Sequence, residues 1–466
     1  MRSARLFAHS RWVRASALIA CAAVSITACS SSSTASSDVS SGAAANSSQS
    51  QTNASSQPVA APSTASMRDL TAPVLVWTDS TRLPAFKAFQ KANPAANVKI
   101  VVIDPAAMLS KIQLANRAGS GWPDVIFDST PSDVASLASP LFNYAEPLNT
   151  LVPQSVQDNF ATHNAACTIG GKLYCLQNDL AQDVIWYNKP LMAKFGYQVP
   201  TTWADYQALG DKVATDHPGY VIGAAGSSGV YYDYLWSSGC PLQTVTSSTQ
   251  VTINTKDPKC TRVASMLDPL LANGSVSRLS PFDPAMNKLA KANKVLMLPA
   301  ASWFGAFIFK ATTAFAYPNG QIAAAPMPSW PGESTNFSGA QGGGIYVVSA
   351  HAVNKAGAVA VAQFAATSQT YQATAPTYPA YIPAAQKWLT SVKTDPFYAE
   401  DPSAVLVAAA GKINPAEGPT RYPMEGPLDS TVVAAITGGA TTASALPGLQ
   451  TQLSGLAQSA GYAVSP

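Results

Sequence analysis

The chain has 466 residues, 47% hydrophobic and only 11% charged, which is enough for two or three domains with large cores. Its formal charge of +3 shrinks once Arg2, Arg5, Arg11 and Arg14 are assigned to a leader, leaving 24 basic side chains against 25 acidic. A balance of −1 with no basic cluster excludes nucleic acid as a partner and suits an exported protein that meets neutral solutes.

In chain order, four arginines precede an apolar stretch from Ala15 to Ala28, too short to remain as a membrane-spanning helix. Residues 1–28 therefore read as a signal peptide. The sequence Ile26-Thr27-Ala28-Cys29 resembles a bacterial lipobox, whose chemistry requires a thiol at the first mature residue. Cys29 is the expected lipidation site, anchoring the chain to the outer face of the cell membrane. The rival reading is an ordinary signal peptide with a coincidental cysteine. Residues 29–70 form a Ser/Ala-rich tether expected to be disordered, with Asp38 as the one charge between Ser30 and Ser66.

The folded body opens with alternating strand and helix signals. Strands are predicted at 74–77, 98–103 and 124–128. Helices follow with Leu83, Phe86 and Phe89 at helical spacing, over about 106–117, and from Pro131. Such alternation predicts an α/β fold with a parallel sheet covered on both faces. Ligands of open α/β sheets sit beyond the carboxyl ends of the strands. Those ends carry Asp79-Ser80 and Asp128-Ser129, each equally able to cap the helix that follows.

Cys21 leaves with the leader and Cys29 is modified, so Cys167, Cys175, Cys240 and Cys260 remain. In an exported chain these imply two disulfides. A hairpin centred on Gly171 sets Cys167 opposite Cys175, which leaves Cys240 for Cys260. No pair has zinc-ligand spacing, so no metal is expected.

Residues 171–203 are the most specific stretch. A strand over 172–176 meets a polar break at Gln177-Asn178-Asp179, and a second strand runs over 184–187. Asn188-Lys189-Pro190 turns into a short helix ended by Gly196, and Val199-Pro200-Thr201-Thr202-Trp203 opens the next with a Thr cap. This order resembles the solute-binding proteins of ABC importers, in the sugar-handling, maltose-binding-protein-like branch. The resemblance implies a two-lobe, type II periplasmic-binding-protein fold with a hinge and an interlobe cleft. It places lobe 1 at 71–179 plus 321–368 and lobe 2 at 180–320 plus 369–466, with residues 322–327 running back to the first lobe.

Further segments fit the same resemblance. Ala300-Ala301-Ser302-Trp303 resembles the family turn whose tryptophan lies against bound sugar, with a departure at the small-residue slot. Gly339 to Gly344, including Gly343, resembles the return crossing. It leads into a strand rather than a helix, so it is no phosphate loop. Residues 377–383 resemble a broken extended piece before a helix, and Tyr422 resembles an aromatic supplied to the cleft. Tyr231, Tyr232, Tyr234 and Trp236 crowd one segment, more aromatic surface than a single core face needs.

Catalysis lacks its parts. His163, His217 and His351 are far apart in sequence, no serine elbow is present, and the candidate loops hold aspartates but no glutamate. Binding fits better, because sugar C–H faces lie on aromatic rings while hydroxyls need directional partners. Tyr231, Tyr232, Trp236, Trp303 and Tyr422 are the candidate platforms. Asp79, Ser80, Asp128, Ser129, Asn178, Asp179 and Gly343 complete the candidate ligand set. The expectation is a monomeric, cofactor-free carbohydrate carrier, for a di- or oligosaccharide, that delivers to an ABC permease. Polyols, aminosugars, sugar phosphates (which would need Arg82 or Arg421), ferric ion and a secreted glycosidase are the alternatives.

Overall fold

The computed structural model describes residues 70–414 and 420–465. The leader, Cys29 and all of the tether but Leu70 lie outside the described residues.

The first sheet is seeded by β-branched runs. Val74–Thr78 lies parallel to Val98–Val102 on one side, with Val74 opposite Val98, and to Val125–Asp128 on the other, with Val76 opposite Val125. Every residue of Val125–Asp128 is buried, as a strand covered on both faces requires. Beyond it come Ile345–Val348 and Leu176–Gln177, each antiparallel to its neighbour. The parallel sheet expected from sequence is thus a mixed one.

A second sheet repeats this plan. Gly223–Ala224 is parallel to Val276–Ser277, and the bridge of Val221 to Val295 adds the approach to Met297–Ala301 in the same direction. Asp183–Asn188 is antiparallel to Met297–Ala301, and Ile322–Ala325 is antiparallel to Asp183–Asn188. Three parallel strands followed by two antiparallel ones describe both sheets, which is the two-lobe periplasmic-binding-protein architecture.

Two expected boundaries need correction. Ile322–Ala325 pairs with Asp183–Asn188, so it belongs to the second sheet and does not run back to the first lobe. The return comes later, where Gln182 bridges Ala340 and the Asn178 N–H donates to Gly344 O at 2.7 Å. The extended piece before the Ile382–Lys393 helix was expected in the second lobe. It instead joins the first-lobe side, where Ala161 N donates to Ala380 O and Ile382 N to Asn159 O. Short apolar strands carry no mark of which sheet will accept them, so tertiary pairing decides.

The stretch 171–203 folds locally as its residues dictate. Asn188 caps the Lys189–Phe195 helix through Leu191 N, and Thr202 and Asp205 form a reciprocal capping box on Trp203–Asp216. The predicted strand 172–176 is instead two short ones, Lys172–Leu173 and Leu176–Gln177. Trp186 is buried, donates to Ala301 O at 3.0 Å and stacks on Tyr398, so it is a core residue. The disulfides are Cys167–Cys175 and Cys240–Cys260, as the sequence predicts. Among the described residues, no helix is long and apolar enough to cross a membrane.

Candidate functional site

The carboxyl ends of strands from both sheets face a cleft with two adjoining chambers. The first, of about 450 Å³, is walled by Ser129–Ser132 from one sheet and by Tyr232 and Trp236 from the Ser228–Ser237 helix beside the other. Gln177, Gln243, Gln341, Thr420, Tyr422 and Glu425 complete most of its polar lining. The second, of about 350 Å³, is lined by Thr81, Arg82, Phe127, Asp179, Trp303, Phe307, Gly343 and Thr377. Ser129, Gln341 and Gly342 belong to both chambers.

Backbone geometry allows the return crossing to enter the cleft. Gly343 has φ +90°, and a Cβ there would lie 2.7 Å from Asp179 O, so only glycine fits without a shift. A Cβ at Gly229 would overlap the side-chain amide nitrogen of Gln341, which enters between the two lobes.

In the second chamber Arg82, Asp179 and the Trp303 N–H are already engaged. Arg82 sits 3.5 Å from Asp179 and 4.9 Å from the centre of the Phe127 ring. Asp179 also accepts from Asn178 Nδ2 at 2.6 Å. Burial pushes the Asp179 carboxyl above its ordinary range, opposed by the Arg82 charge and by the hydrogen bonds of Asn178 and Thr377. Trp303 Nε1 donates to Gln341 O at 2.7 Å, while its ring lies against Phe304 and Phe282.

The first chamber differs. Gln177 Oε1, Gln243 Oε1, Gln341 Oε1 and Tyr422 Oη are buried without a hydrogen-bond partner among the described residues. Among the described residues, no lysine or arginine lines this chamber. Burial raises Asp128 to about 6 against the N–H groups of Thr130 and Ser129. Asp133 is raised to about 8 by burial and by the charges of Asp128 and Glu425.

A buried acid pair lies behind the aromatic wall. Asp233 shares the Ser228–Ser237 helix with Tyr232 and Trp236, and its carboxyl meets that of Asp183. Burial raises Asp183 to about 7 and Asp233 well above its ordinary value. The contact between them requires one to hold a proton. The backbone N–H groups of Gln341 and Gly339 in the return crossing oppose this rise at Asp183.

Of the residues singled out from sequence, Ser129, Asp179, Tyr232, Trp236, Trp303, Gly343 and Tyr422 line the cleft. Five do not. Asp79 accepts from Arg82 N at 2.6 Å, closing the turn before the Leu83–Ala92 helix, and Ser80 is exposed; the lining passes to Thr81 and Arg82. Asp128 is turned back onto Thr130 N. Asn178 is spent on Asp179, Tyr346 and Gln372. Tyr231 is fully buried and directs its hydroxyl at Thr442, because a helical step of one residue rotates it away from Tyr232. Gln177 and Gln341, missed in sequence, lie inside the polar break and the glycine cluster. Gln243 and Glu425 carry no such signal.

Residues 76–372 match the family model of the bacterial extracellular solute-binding proteins. The chain belongs to that family. Among curated proteins, none matches the chain. Among solved structures, it is similar to the ABC-transporter-associated binding protein of B. animalis subsp. lactis Bl-04, solved with β-1,6-galactobiose. That match has a TM-score of 0.70 and 19% identity, covering 84% of this chain and 99% of that one. The galacto-N-biose/lacto-N-biose I-binding protein of Bifidobacterium longum, solved with lacto-N-biose, has a TM-score of 0.71 at 17% identity, covering 85% and 100%. The GacH receptor of Streptomyces glaucescens, solved unliganded and with acarbose, has a TM-score of 0.64 at 18% identity, covering 84% and 99%. At these identities the likeness speaks for the fold.

Proposed function

We propose that this solute-binding protein captures a di- or oligosaccharide in the two-chamber cleft and delivers it to an ABC permease. The observation that carries the reading is the cleft itself: aromatic rings from both lobes stand beside buried acceptors that have no protein partner. Tyr232, Trp236, Tyr422 and Trp303 offer faces to sugar C–H groups. Gln177, Gln243, Gln341 and Asp179 take hydroxyl protons. A second chamber beyond Gln341 gives room for more than one ring. The galactobiose-, lacto-N-biose- and acarbose-bound neighbours share the fold and support the same ligand class.

Ligand bridging both lobes favours the closed form, so binding shifts a hinge equilibrium. The hinge lies where 179–183 and 338–344 run side by side. The protein acts as a monomeric carrier held to the membrane through lipidated Cys29, and performs no catalysis itself. A sugar phosphate fits less well. Arg82 is committed to Asp179, and Arg421 donates to Ala460 O and Ser248 O and lies over the Tyr462 ring. A ferric site fails on geometry, since Tyr231 and Tyr232 face different ways.

The test is calorimetry and tryptophan fluorescence of the body from Met67 against neutral mono-, di- and oligosaccharides. Saturable binding of one oligosaccharide class is expected. Silence across the panel, with no thermal shift, overturns the sugar reading.

A further inference from the structure

We propose that the second chamber continues outward onto the exposed ring of Phe282, which seats a further sugar unit, so that the preferred ligand is an oligosaccharide longer than a disaccharide. This rests on the carbohydrate reading above and narrows it by length. Phe282 is 51% exposed, yet it is not a stray apolar side chain. Its ring lies 6.2 Å from that of Trp303 and within 12° of parallel. Trp303 in turn meets Phe307 at 6.3 Å, and both of those rings line the second chamber. Together they form a row that begins inside the cleft and ends in water.

The row is built at the ligand-binding edge of the second sheet. Gly223–Ala224, Val276–Ser277 and Met297–Ala301 run in the same direction, and ligands of such sheets sit beyond the carboxyl ends of the strands. The first of these ends leads to the Ser228–Ser237 helix with Tyr232 and Trp236, the second to Phe282, and the third to Trp303. The loop carrying Phe282 is tied into that edge. Gly226 N donates to Leu279 O at 3.2 Å, and a Cβ at Gly226 would overlap Arg278 O, so the loop lies directly on the turn that opens the Tyr232 helix.

Phe282 is also held in place before any ligand arrives. Its N–H donates to Ser280 Oγ at 3.2 Å, Asp283 N donates to Ser280 O at 3.0 Å, and Asp283 caps the Pro284–Lys291 helix through Ala285 N at 2.7 Å. Its ring also meets that of Phe304, 6.0 Å between centres. A half-exposed phenyl fixed in this way keeps an apolar face in water and has little ordering left to lose on binding. The C–H face of a pyranose covers such a ring well. The ring itself offers no hydrogen-bonding group, so it selects for ligand length rather than for one pattern of hydroxyls.

The experiment measures affinity by calorimetry along ladders of malto-, cello-, xylo- and β-1,6-galacto-oligosaccharides, from disaccharide to pentasaccharide. In the wild-type protein one ladder should tighten by about fivefold beyond the disaccharide, the size of one aromatic contact. Phe282→Ala should flatten that ladder, bringing its longer members to the affinity of the disaccharide, and Phe282→Tyr should keep the gain. Melting curves of the free variants confirm that they are folded. A wild-type affinity that does not rise beyond the disaccharide, or a rise that survives Phe282→Ala, overturns the inference while leaving the sugar reading intact. So does an equal loss at every length, which would make Phe282 only a support for Trp303. Absence of binding along every ladder counts against both.

Discussion

The two chambers are built from the same strand ends and differ in what their polar atoms are doing before any ligand arrives. In the second, Arg82 holds Asp179 and Trp303 holds Gln341 O, so the wall is fixed and an incoming ring finds a prepared surface. In the first, four acceptors are buried without a partner among the described residues. One chamber has its charged pair and tryptophan N–H satisfied in the free protein, while the other keeps buried acceptors without a protein partner. Committed and uncommitted polar groups are therefore separated in space.

Mutations can break this contrast. The largest effect is expected from Arg82→Met, which strands the Asp179 carboxylate in a dry wall. Removal of one partner of a buried pair costs about 3–5 kcal/mol, read as a large fall in melting temperature. A small change would show that the pair is solvated and the chamber less fixed than described.

The acid pair behind the first chamber gives the next effect. Asp183 and Asp233 sit above their ordinary range, so the folded protein keeps protons that the unfolded chain releases. That stabilisation is complete below about pH 4 and is lost as pH rises through about 7. The wild-type melting temperature should therefore fall between pH 5 and pH 8. Asp233→Asn should flatten that slope and melt several degrees higher at pH 8. Parallel pH profiles of the two proteins would discount the shared proton.

Trp236→Ala should weaken sugar binding by roughly 2 kcal/mol, about thirtyfold, as loss of a central aromatic anchor does. Trp303→Ala should weaken it similarly but also lower stability, since its ring packs on Phe304 and its N–H is bonded. Isothermal titration beside thermal melts separates the two cases. The smallest effect is Gln243→Leu, which removes an idle acceptor. It should raise stability by up to about 1 kcal/mol while weakening binding several-fold. A variant that loses stability and keeps its affinity would place Gln243 in the structural scaffold.

Much of this was legible in the chain because local rules act locally. The Thr202–Asp205 capping box, the Asn188 cap and the Cys167–Cys175 hairpin depend on neighbours a few residues apart. The polar break at 177–179 and the glycines at 339–344 announced backbone near a ligand. What stayed hidden was relational. Ile322–Ala325 reads as a strand in either sheet, and only pairing with Asp183–Asn188 assigns it. Tyr231 and Tyr232 look alike in sequence and are separated by a single helical step. Asp79 and Asp128 sit where ligand readers belong, yet their own turns claim them through Arg82 N and Thr130 N.

The disulfides give the first chamber a dependence on cellular location. Cys167–Cys175 closes the turn that follows Ala161–Cys167, whose Thr162, Ala165 and Ala166 line one wall. Cys240–Cys260 fastens the end of the segment bearing Tyr232 and Trp236 to the Pro258–Asn273 helix. Both braces form only under oxidising conditions. Under reducing conditions the same chain would hold those walls less firmly, so the chamber is fully braced only where its disulfides can form.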